Sequence, residues 1–210
     1  RPSIVTATAT TADIDIDAAN ITIDNFEMDF TSPDAVAAAI DVNSDYFTLR
    51  NCRIVFSDSD GQATRVVFAD STNVVSSMLI ENNDFQGDTS AGTSSVVRFS
   101  GGNYHAIRNN RMWGNFDTTS GGAIVSGADA AGQITIADNR ISNMAASSVI
   151  AIKLLAATTG DIYRNYLRIT TDTSPATSIE NPGTCSLYQN FGVTDSGETG
   201  TEIVPVAFST

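Results

Sequence analysis

One eight-residue pattern occurs seven times along the chain, and this repeat constrains the fold more than any other feature. Each segment alternates polar and apolar residues up to an aliphatic anchor at its third position. A second apolar column follows five residues after the anchor, at Met28, Ile54, Phe85, Met112, Ile141 and Leu167, and is broken by Gly192. The anchors are Ile23, Leu49, Ile80, Ile107, Ile136, Ile162 and Leu187, at spacings of 25–31 residues. This pattern predicts a strand, a bend and a second strand in every repeat.

The predicted bend has its own residue signature. Asn and Asp tolerate left-handed backbone angles better than other non-glycine residues, so the column two residues after the anchor predicts left-handed corners. Its members are Asn25, Asn51, Asn82, Asn109, Asp138, Arg164 and Gln189. The next column is Phe26, Cys52, Asn83, Asn110, Asn139, Asn165 and Asn190. Because Phe and Cys favour an inward position, the five Asn are predicted to form a continuous buried ladder. An unpaired buried amide would cost about 1–3 kcal/mol.

Further strand-like segments precede the bends, at residues 37–40, 64–68, 95–99, 123–125 and 148–152. Each coil therefore contains about three short strands. Leucine-rich repeats and propeller blades do not match the spacing or the turn residues. We predict an all-β right-handed parallel β-helix, or solenoid, of about seven coils of 25–31 residues. It occupies residues 1–195, and residues 196–210 form a capping or partner-binding strand.

The composition excludes several classes of function. Eleven basic against 24 acidic residues give a net charge of −13, which disfavours binding to nucleic acid or to anionic membranes. No run of 18 apolar residues is present, so we expect no membrane-spanning helix. With one Lys and one His, the chain has few candidate residues for catalysis by a His–nucleophile pair. We therefore expect no enzymatic activity and no cofactor.

The outward-facing columns beside the bends carry charges that mostly alternate in sign. These columns are Asp24, Arg50, Glu81 and Arg108, and Glu27, Arg53, Asp84, Arg111 and Arg140. We interpret them as ladders of surface ion pairs that set the register. The alternative is a catalytic groove, since Asp24 and Glu81 would lie about 10 Å apart, close to the carboxyl separation of inverting glycosidases. Arg50 between them would keep both ionised, which does not suit a general acid.

Other candidate sites have weaker signals. His105 occupies an inward column and is interpreted as a core residue. Residues 58–60, Asp-Ser-Asp, followed by Gly61, are only a fragment of a calcium loop. Asp41 and Asp70 follow strand ends in successive coils and could face each other, but they also fit turn chemistry.

Two cysteines, Cys52 and Cys185, lie about five rungs apart, or about 24 Å, which is too far for a disulfide.

Two apolar surface segments are candidate partner contacts. Trp113 has the outward phase, and Phe116 follows it in the same loop. This pair is either an exposed contact site or part of a loop that folds back over the coil. The segment after Glu202 contains Ile203, Val204, Val206 and Phe208, with Pro205 typical of an edge strand. It either caps the last coil or binds a neighbour.

The repeated segments Ile21-Thr-Ile-Asp-Asn-Phe26 and Phe47-Thr-Leu-Arg-Asn-Cys52, after the opening residues 1–14, resemble the right-handed β-helix proteins of tailed bacteriophages. The resemblance covers about residues 1–195. It implies a location in the virion, on the capsid surface, as a decoration or cement protein or as a spike. It also implies a homotrimer, with the major capsid protein or other virion proteins as partners, and a segment upstream of Arg1. It specifies no active site, and the Asp-Asp, His-Gly and Arg-x-Lys signatures of pectin-degrading β-helix enzymes are absent.

Two functions remain open at this point. The first is a non-enzymatic virion structural protein that stabilises or decorates the phage head, without nucleic-acid or membrane partners. The second is a tail or head spike that binds or cleaves a bacterial surface glycan, as a hydrolase or lyase. The inference from a shared fold to a function is an analogy.

Overall fold

The structure is a computed structural model, and it describes residues 2–5, 12–30, 36–56, 64–89, 93–116, 121–145, 150–169, 178–180, 182–194 and 197–203. Short strands account for nearly all of its regular secondary structure. In chain order the first twelve are β1 (Ser3–Val5), β2 (Ala12–Ile16), β3 (Thr22–Asp24), β4 (Glu27–Asp29), β5 (Ala38–Val42), β6 (Thr48–Arg50), β7 (Arg53–Val55), β8 (Arg65–Ala69), β9 (Leu79–Glu81), β10 (Asp84–Gln86), β11 (Ser95–Phe99) and β12 (Ala106–Arg108). The others are β13 (Arg111–Gly114), β14 (Ile124–Ser126), β15 (Ile134–Ala137), β16 (Arg140–Asn143), β17 (Ile152–Lys153), β18 (Gly160–Tyr163), β19 (Tyr166–Ile169), β20 (Ile179–Glu180), β21 (Ser186–Tyr188), β22 (Asn190–Thr194) and β23 (Gly197–Ile203).

These strands stack into three sheets that wrap around one axis. Sheet A has the order β1-β4-β7-β10-β13-β16-β19-β22-β23, sheet B the order β2-β5-β8-β11-β14-β17-β20, and sheet C the order β3-β6-β9-β12-β15-β18-β21. All neighbours pair in parallel except β22 and β23, which are antiparallel. Because sheets B and C each contain seven strands, the chain makes about six full turns from the first rung to the seventh. The predicted parallel β-solenoid is confirmed, and its right hand remains an expectation from the general rule for parallel crossovers.

The anchors lie in register through sheet C. Ile23 pairs with Leu49, Leu49 with Ile80, and the column continues without a slip to Leu187. The second apolar column, from Met28 to Gly192, runs through sheet A in the same way. Sheet B contributes a third column, Ile40, Val67, Val97, Ile124, Ile152 and Ile179.

The three apolar columns form a single core along the axis. Leu49, Ile80, Ile54 and Phe85 are all fully buried. Each aliphatic side chain of this kind contributes about 1.5–3 kcal/mol through burial. A shift of one residue in any coil would turn its apolar side chains to water, so the core fixes the register.

The predicted left-handed corners are present in all seven coils. The residues between sheet C and sheet A have φ values of 53–64°, at Asn25, Asn51, Asn82, Asn109, Asp138, Arg164 and Gln189. A second left-handed column, before sheet C, was not predicted: Asn20, Tyr46, Ser77, Tyr104 and Gln133 have φ values of 53–64°. Its mixed residue types explain why the sequence gives no clear signal.

The asparagine ladder is also confirmed, and Asn110 shows the bonding pattern that repeats from Asn83 to Asn165. The Nδ2 of Asn110 donates to the carbonyl oxygen of Ile80, at 2.9 Å, and to the Oδ1 of Asn139, at 3.1 Å. Its own Oδ1 accepts from the backbone N–H and the Nδ2 of Asn83, at 3.0 and 3.1 Å. The ladder begins at Cys52, whose N–H donates to Asn83, and runs to Asn190. The amides of Asn83, Asn110, Asn139 and Asn165 therefore each bond the coils on both sides, and Asn190 bonds the preceding coil.

Candidate functional site

The charged columns on the outside of sheets A and C form ion pairs between coils. The pairs are Arg50–Asp24 at 2.9 Å, Arg53–Glu27 at 2.5 Å, Arg108–Glu81 at 3.0 Å and Arg111–Asp84 at 3.1 Å. Two more ion pairs lie elsewhere on the surface. Arg164 and Asp138, both at corners between sheets C and A, are 2.6 Å apart, and Lys153 and Glu180, both on sheet B, are 3.2 Å apart. The predicted ion pairs between coils are confirmed as far as Arg108 and Arg111, whereas Arg140 lies opposite Arg111 and has no ion pair with a described carboxylate.

Two of these carboxylates, Asp24 and Asp138, are poorly suited to general acid catalysis. The Asn51 side chain donates to Asp24 at 2.8 Å and, together with Arg50, holds the pKa of Asp24 below its ordinary value. Arg164 binds Asp138 through two nitrogens, at 2.6 and 2.7 Å, and lowers its pKa in the same way. A general acid needs a raised pKa. These carboxylates therefore stabilise the surface and do not fit the catalytic interpretation.

Asp41 and Asp70 differ from the ladder carboxylates. Asp41 lies in β5, in register with Asp15 of β2, and its Oδ1 is buried without a hydrogen-bond partner. Burial raises the pKa of Asp41, and the carboxylates of Asp15 and Asp70 raise it further. Asp70 follows β8, and the backbone N–H of Thr72 donates to it and lowers its pKa. The two interacting carboxyl groups are thus shifted in opposite directions, a pattern found in acid–base pairs.

His105 is a core residue, as interpreted from the sequence. Its side chain is 1% exposed and packs on the Phe99 ring, with the centroids 5.0 Å apart. Burial lowers the pKa of His105, so the imidazole is neutral near pH 7. Its Nδ1 accepts from the backbone N–H of Met78 at 3.4 Å, which assigns the proton to Nε2 for donation to the carbonyl oxygen of Gly101, at 3.0 Å. Both ring nitrogens are occupied by structural contacts.

Cys52 and Cys185 are both buried and are not joined by a disulfide, as predicted. Burial raises the pKa of Cys185 to about 11, which keeps its thiol protonated and unreactive.

Of the two interpretations of the Trp113–Phe116 loop, the structure supports the loop folded over the coil, and Phe116 is not an exposed partner contact. The Phe116 side chain is fully buried, and its ring stacks on Phe56 with a centroid distance of 6.4 Å. Asn143 accepts a hydrogen bond from the Phe116 backbone N–H at 3.1 Å and holds the chain over the coil. The loop folds back because burying this ring removes a large apolar surface from water. Trp113 lies on the outward face of sheet A and is partly buried.

The predicted C-terminal contact residues are only partly covered by the structure. Ile203 ends β23, whose backbone pairs antiparallel with β22 and so covers the edge of the last coil. Val204, Val206 and Phe208 lie outside the described residues, as does the calcium-loop fragment at 58–61. In the described part of the chain, no three His, Cys, Asp or Glu side chains are grouped to hold a metal ion. No helix among these residues could span a membrane.

Exposed aromatic side chains occupy the last two coils, a feature that the sequence analysis missed. The column of Asp24 and Arg50 continues to Tyr163 and Tyr188, whose rings stack 4.8 Å apart. The column of Glu27 and Arg53 continues to Tyr166 and Phe191, with exposures of 41% and 45%. Counting along the same columns would have revealed them, because the positions follow directly from the repeat.

The central coils carry an arginine-lined groove on sheet A, which the sequence analysis also missed. The groove has a volume of about 320 Å³. Its lining residues are Arg111, Met112, Trp113, Arg140, Ser142 and Arg168. A second depression of about 290 Å³ continues on the other side of Trp113, toward Val55 and Gln86. The surface therefore offers arginines and one aromatic side chain in a shallow channel.

Comparisons of the chain with protein-family models, with curated proteins and with solved structures find no match.

Proposed function

We propose that this chain is a non-enzymatic structural protein of a bacteriophage virion, of the capsid decoration or cement type. The assignment to a virion rests on the resemblance of the repeated segments to phage β-helix proteins. The structural part of the proposal rests on one observation: the outward charged columns and the inward asparagine column join one coil to the next. Arginines pair with carboxylates of the neighbouring coil, and the amides of the inner corner bond one another.

A solenoid built in this way suits mechanical reinforcement. Hydrogen bonds run along the axis in three sheets, and the asparagine ladder adds a fourth row of bonds between coils. We expect these rows of hydrogen bonds to make the solenoid resist bending and local unfolding. The proposed location is the outer surface of the capsid, with the major capsid protein or another virion protein as the partner and a homotrimer as the assembly.

The partner contact is assigned to the aromatic end of the rod. Tyr166, Tyr188 and Phe191 are 41–45% exposed, and clusters of exposed aromatic residues are typical of protein interfaces. The predicted contact residues Trp113, Ile203, Val204, Val206 and Phe208 remain predictions.

The test is the number of copies per particle, measured by quantitative mass spectrometry of purified virions whose genome encodes this chain. A capsid decoration protein is expected in hundreds of copies, and particles lacking it should lose DNA at a lower temperature. A few dozen copies or fewer would assign the chain to the tail, and its absence from particles would overturn the virion role.

The alternative is a spike that binds or cleaves a bacterial surface glycan. The observation that favours it is the opposite displacement of the Asp41 and Asp70 pKa values, which suits a general acid beside a general base. Turnover of a capsular polysaccharide by the purified chain, lost in Asp41→Asn and Asp70→Asn but retained in Asp161→Asn, an exposed carboxylate on sheet C, would establish this role in place of the structural one.

A further inference from the structure

The ion-pair ladder on sheet A is interrupted at one position. Glu27, Arg53, Asp84 and Arg111 alternate in sign from coil to coil, but the next residue in register is Arg140. Arg111 and Arg140 are therefore direct neighbours on adjacent strands, about 5 Å apart at the backbone. Like charges placed opposite each other destabilise a sheet.

No carboxylate of the described residues forms an ion pair with Arg140. Arg111 binds Asp84 at 3.1 Å on its other side, and Arg140 lies over the ring of Tyr166, 5.4 Å from its centroid. Arg140 is exposed, and the Arg111 side chain is 59% exposed. The guanidinium groups thus keep free donors that point to solvent.

The same two arginines line the groove of about 320 Å³, together with the exposed Arg168 of the next coil. Three of the eleven basic residues of an acidic chain are thus gathered around one depression. No acidic side chain from the described residues lines it. The charged side chains in its described lining are all basic, whereas the whole chain is acidic, so the groove favours anions.

The remaining lining residues indicate what kind of anion fits. Trp113 and Ser142 lie in register on adjacent strands, and Arg168 is the next residue in that column. An indole ring packs against the C–H faces of a sugar ring, and a hydroxyl exchanges hydrogen bonds with sugar hydroxyls. Guanidinium groups bind carboxylates in a planar, bidentate geometry.

An acidic protein segment fits less well. Protein interfaces bury a central group of apolar anchors, whereas the described lining of the groove offers one partly exposed aromatic side chain, Trp113, and the buried Met112. The channel runs along the rod past Trp113 through coils that are about 4.8 Å apart, a repeat close to the length of one sugar unit in an extended chain.

We propose that the groove formed by Arg111, Trp113, Arg140, Ser142 and Arg168 is a binding site for an acidic oligosaccharide, such as one rich in uronic acids. The sugar lies along the rod, packs on Trp113 and places its carboxylates on Arg111 and Arg140. This site involves binding without cleavage, and it does not depend on the proposed virion role.

The experiment uses the intrinsic fluorescence of the full chain, because Trp113 is its only tryptophan. Tetragalacturonate is titrated into the protein, with maltotetraose as the neutral control of equal length. The acidic sugar should change the Trp113 emission saturably, and the neutral sugar should have at least tenfold weaker affinity. Raising the salt concentration should weaken the binding of the acidic sugar.

Two variants with the same charge change separate the groove from the rest of the surface. Arg140→Gln should weaken binding of tetragalacturonate at least tenfold, and Arg50→Gln, on sheet C, should leave it within twofold. Arg140→Gln is not expected to lower the thermal midpoint, because it relieves the repulsion from Arg111 and breaks no ion pair with the described carboxylates. The chain length and fold are unchanged, so a loss of binding reports on the site.

Three results would overturn the proposal. The first is no saturable change in Trp113 emission up to millimolar tetragalacturonate. The second is equal weakening by Arg140→Gln and Arg50→Gln. The third is tighter binding of a glutamate tetrapeptide than of the acidic sugar, which would assign the groove to an acidic protein segment. None of these results bears on the copy number in virions, so the two proposals fail independently.

Discussion

Asparagine has two distinct uses in this chain, and they occur at adjacent positions. Asn109 adopts the left-handed angles that turn the chain from sheet C to sheet A. Asn110, the next residue, points inward and bonds the coils before and after it. A side chain with one acceptor and one two-proton donor is the smallest group that can do this. The pair thus sets both the corner angle and the coil spacing.

Replacing a ladder amide should destabilise the fold. Asn110→Leu leaves the carbonyl of Ile80 and both Asn83 donors without their partners, so we expect a loss of about 1–3 kcal/mol in the free energy of unfolding. Chemical denaturation measures it.

The matched control for this substitution is Asn73→Leu. Asn73 is exposed and bonds only the Asn43 side chain, so its replacement should change stability by less than about 0.5 kcal/mol. Equal effects of the two substitutions would show that the ladder does not contribute to stability.

His105 should make stability depend on pH in the mildly acidic range. Burial places its folded pKa below the unfolded value of about 6.5, so the unfolded chain takes up the proton first. The free energy of unfolding is therefore expected to fall as the pH decreases from 7.5 to 5.5. His105→Met, which places in this column the residue type found at Met78, should abolish that part of the pH dependence. An identical slope in both proteins would contradict the neutral core imidazole.

At the scale of the elements, the strands are too short to be stable alone. Most have three to five residues, and each is held by its neighbours along the axis. Register is set by apolar columns inside and by charges outside, and the two agree from coil to coil. The exception is the Arg111–Arg140 contact, where the inner column continues but the charges repel.

A double-mutant cycle should detect this repulsion. The cycle of Arg111→Gln and Arg140→Gln is expected to show an unfavourable coupling of about 0.2–1 kcal/mol in low salt, measured by thermal unfolding. The cycle of Glu27→Gln and Arg53→Gln, one ladder step in the same column, should give a favourable coupling of similar size. A favourable coupling between the two arginines would contradict the repulsion inferred from their register.

For the whole molecule, the exposed ends of the stack are the weak points. A strand with an open edge can pair with another chain. At the last coil, β23 turns back and covers the edge of β22 with an antiparallel pairing. This reversal stops the parallel series, so the hairpin acts as a cap for sheet A.

A chain shortened after Thr194 should therefore associate. Without β23, the backbone groups of β22 lose their partner strand, and we expect concentration-dependent oligomers in sedimentation velocity. The full chain, measured at the same concentrations, gives the reference state. A shortened chain with the same sedimentation behaviour as the full one would show that β23 does not protect this edge.

The sequence by itself determined the winding, the register and the corners. Each column recurs in all seven coils, so the sequence gives seven examples of the same structural position. The buried side of Ile80, the corner at Asn82 and the inward position of Asn83 could therefore be predicted from the sequence. The sequence also identified His105 as a core residue and the charge columns as ladders, because the alternation of inward and outward residues in the repeat predicts both.

Only the tertiary structure decided what occurs once. The burial of Phe116 depends on how a single loop folds over Phe56, and no repeat reports on that loop. The groove beside Trp113 depends on three arginines from different coils, and the opposite pKa displacements of Asp41 and Asp70 depend on local burial and hydrogen bonds. The physical reason is that periodic positions share one environment set by the backbone, whereas loops and outward faces take their environment from contacts between side chains distant in sequence.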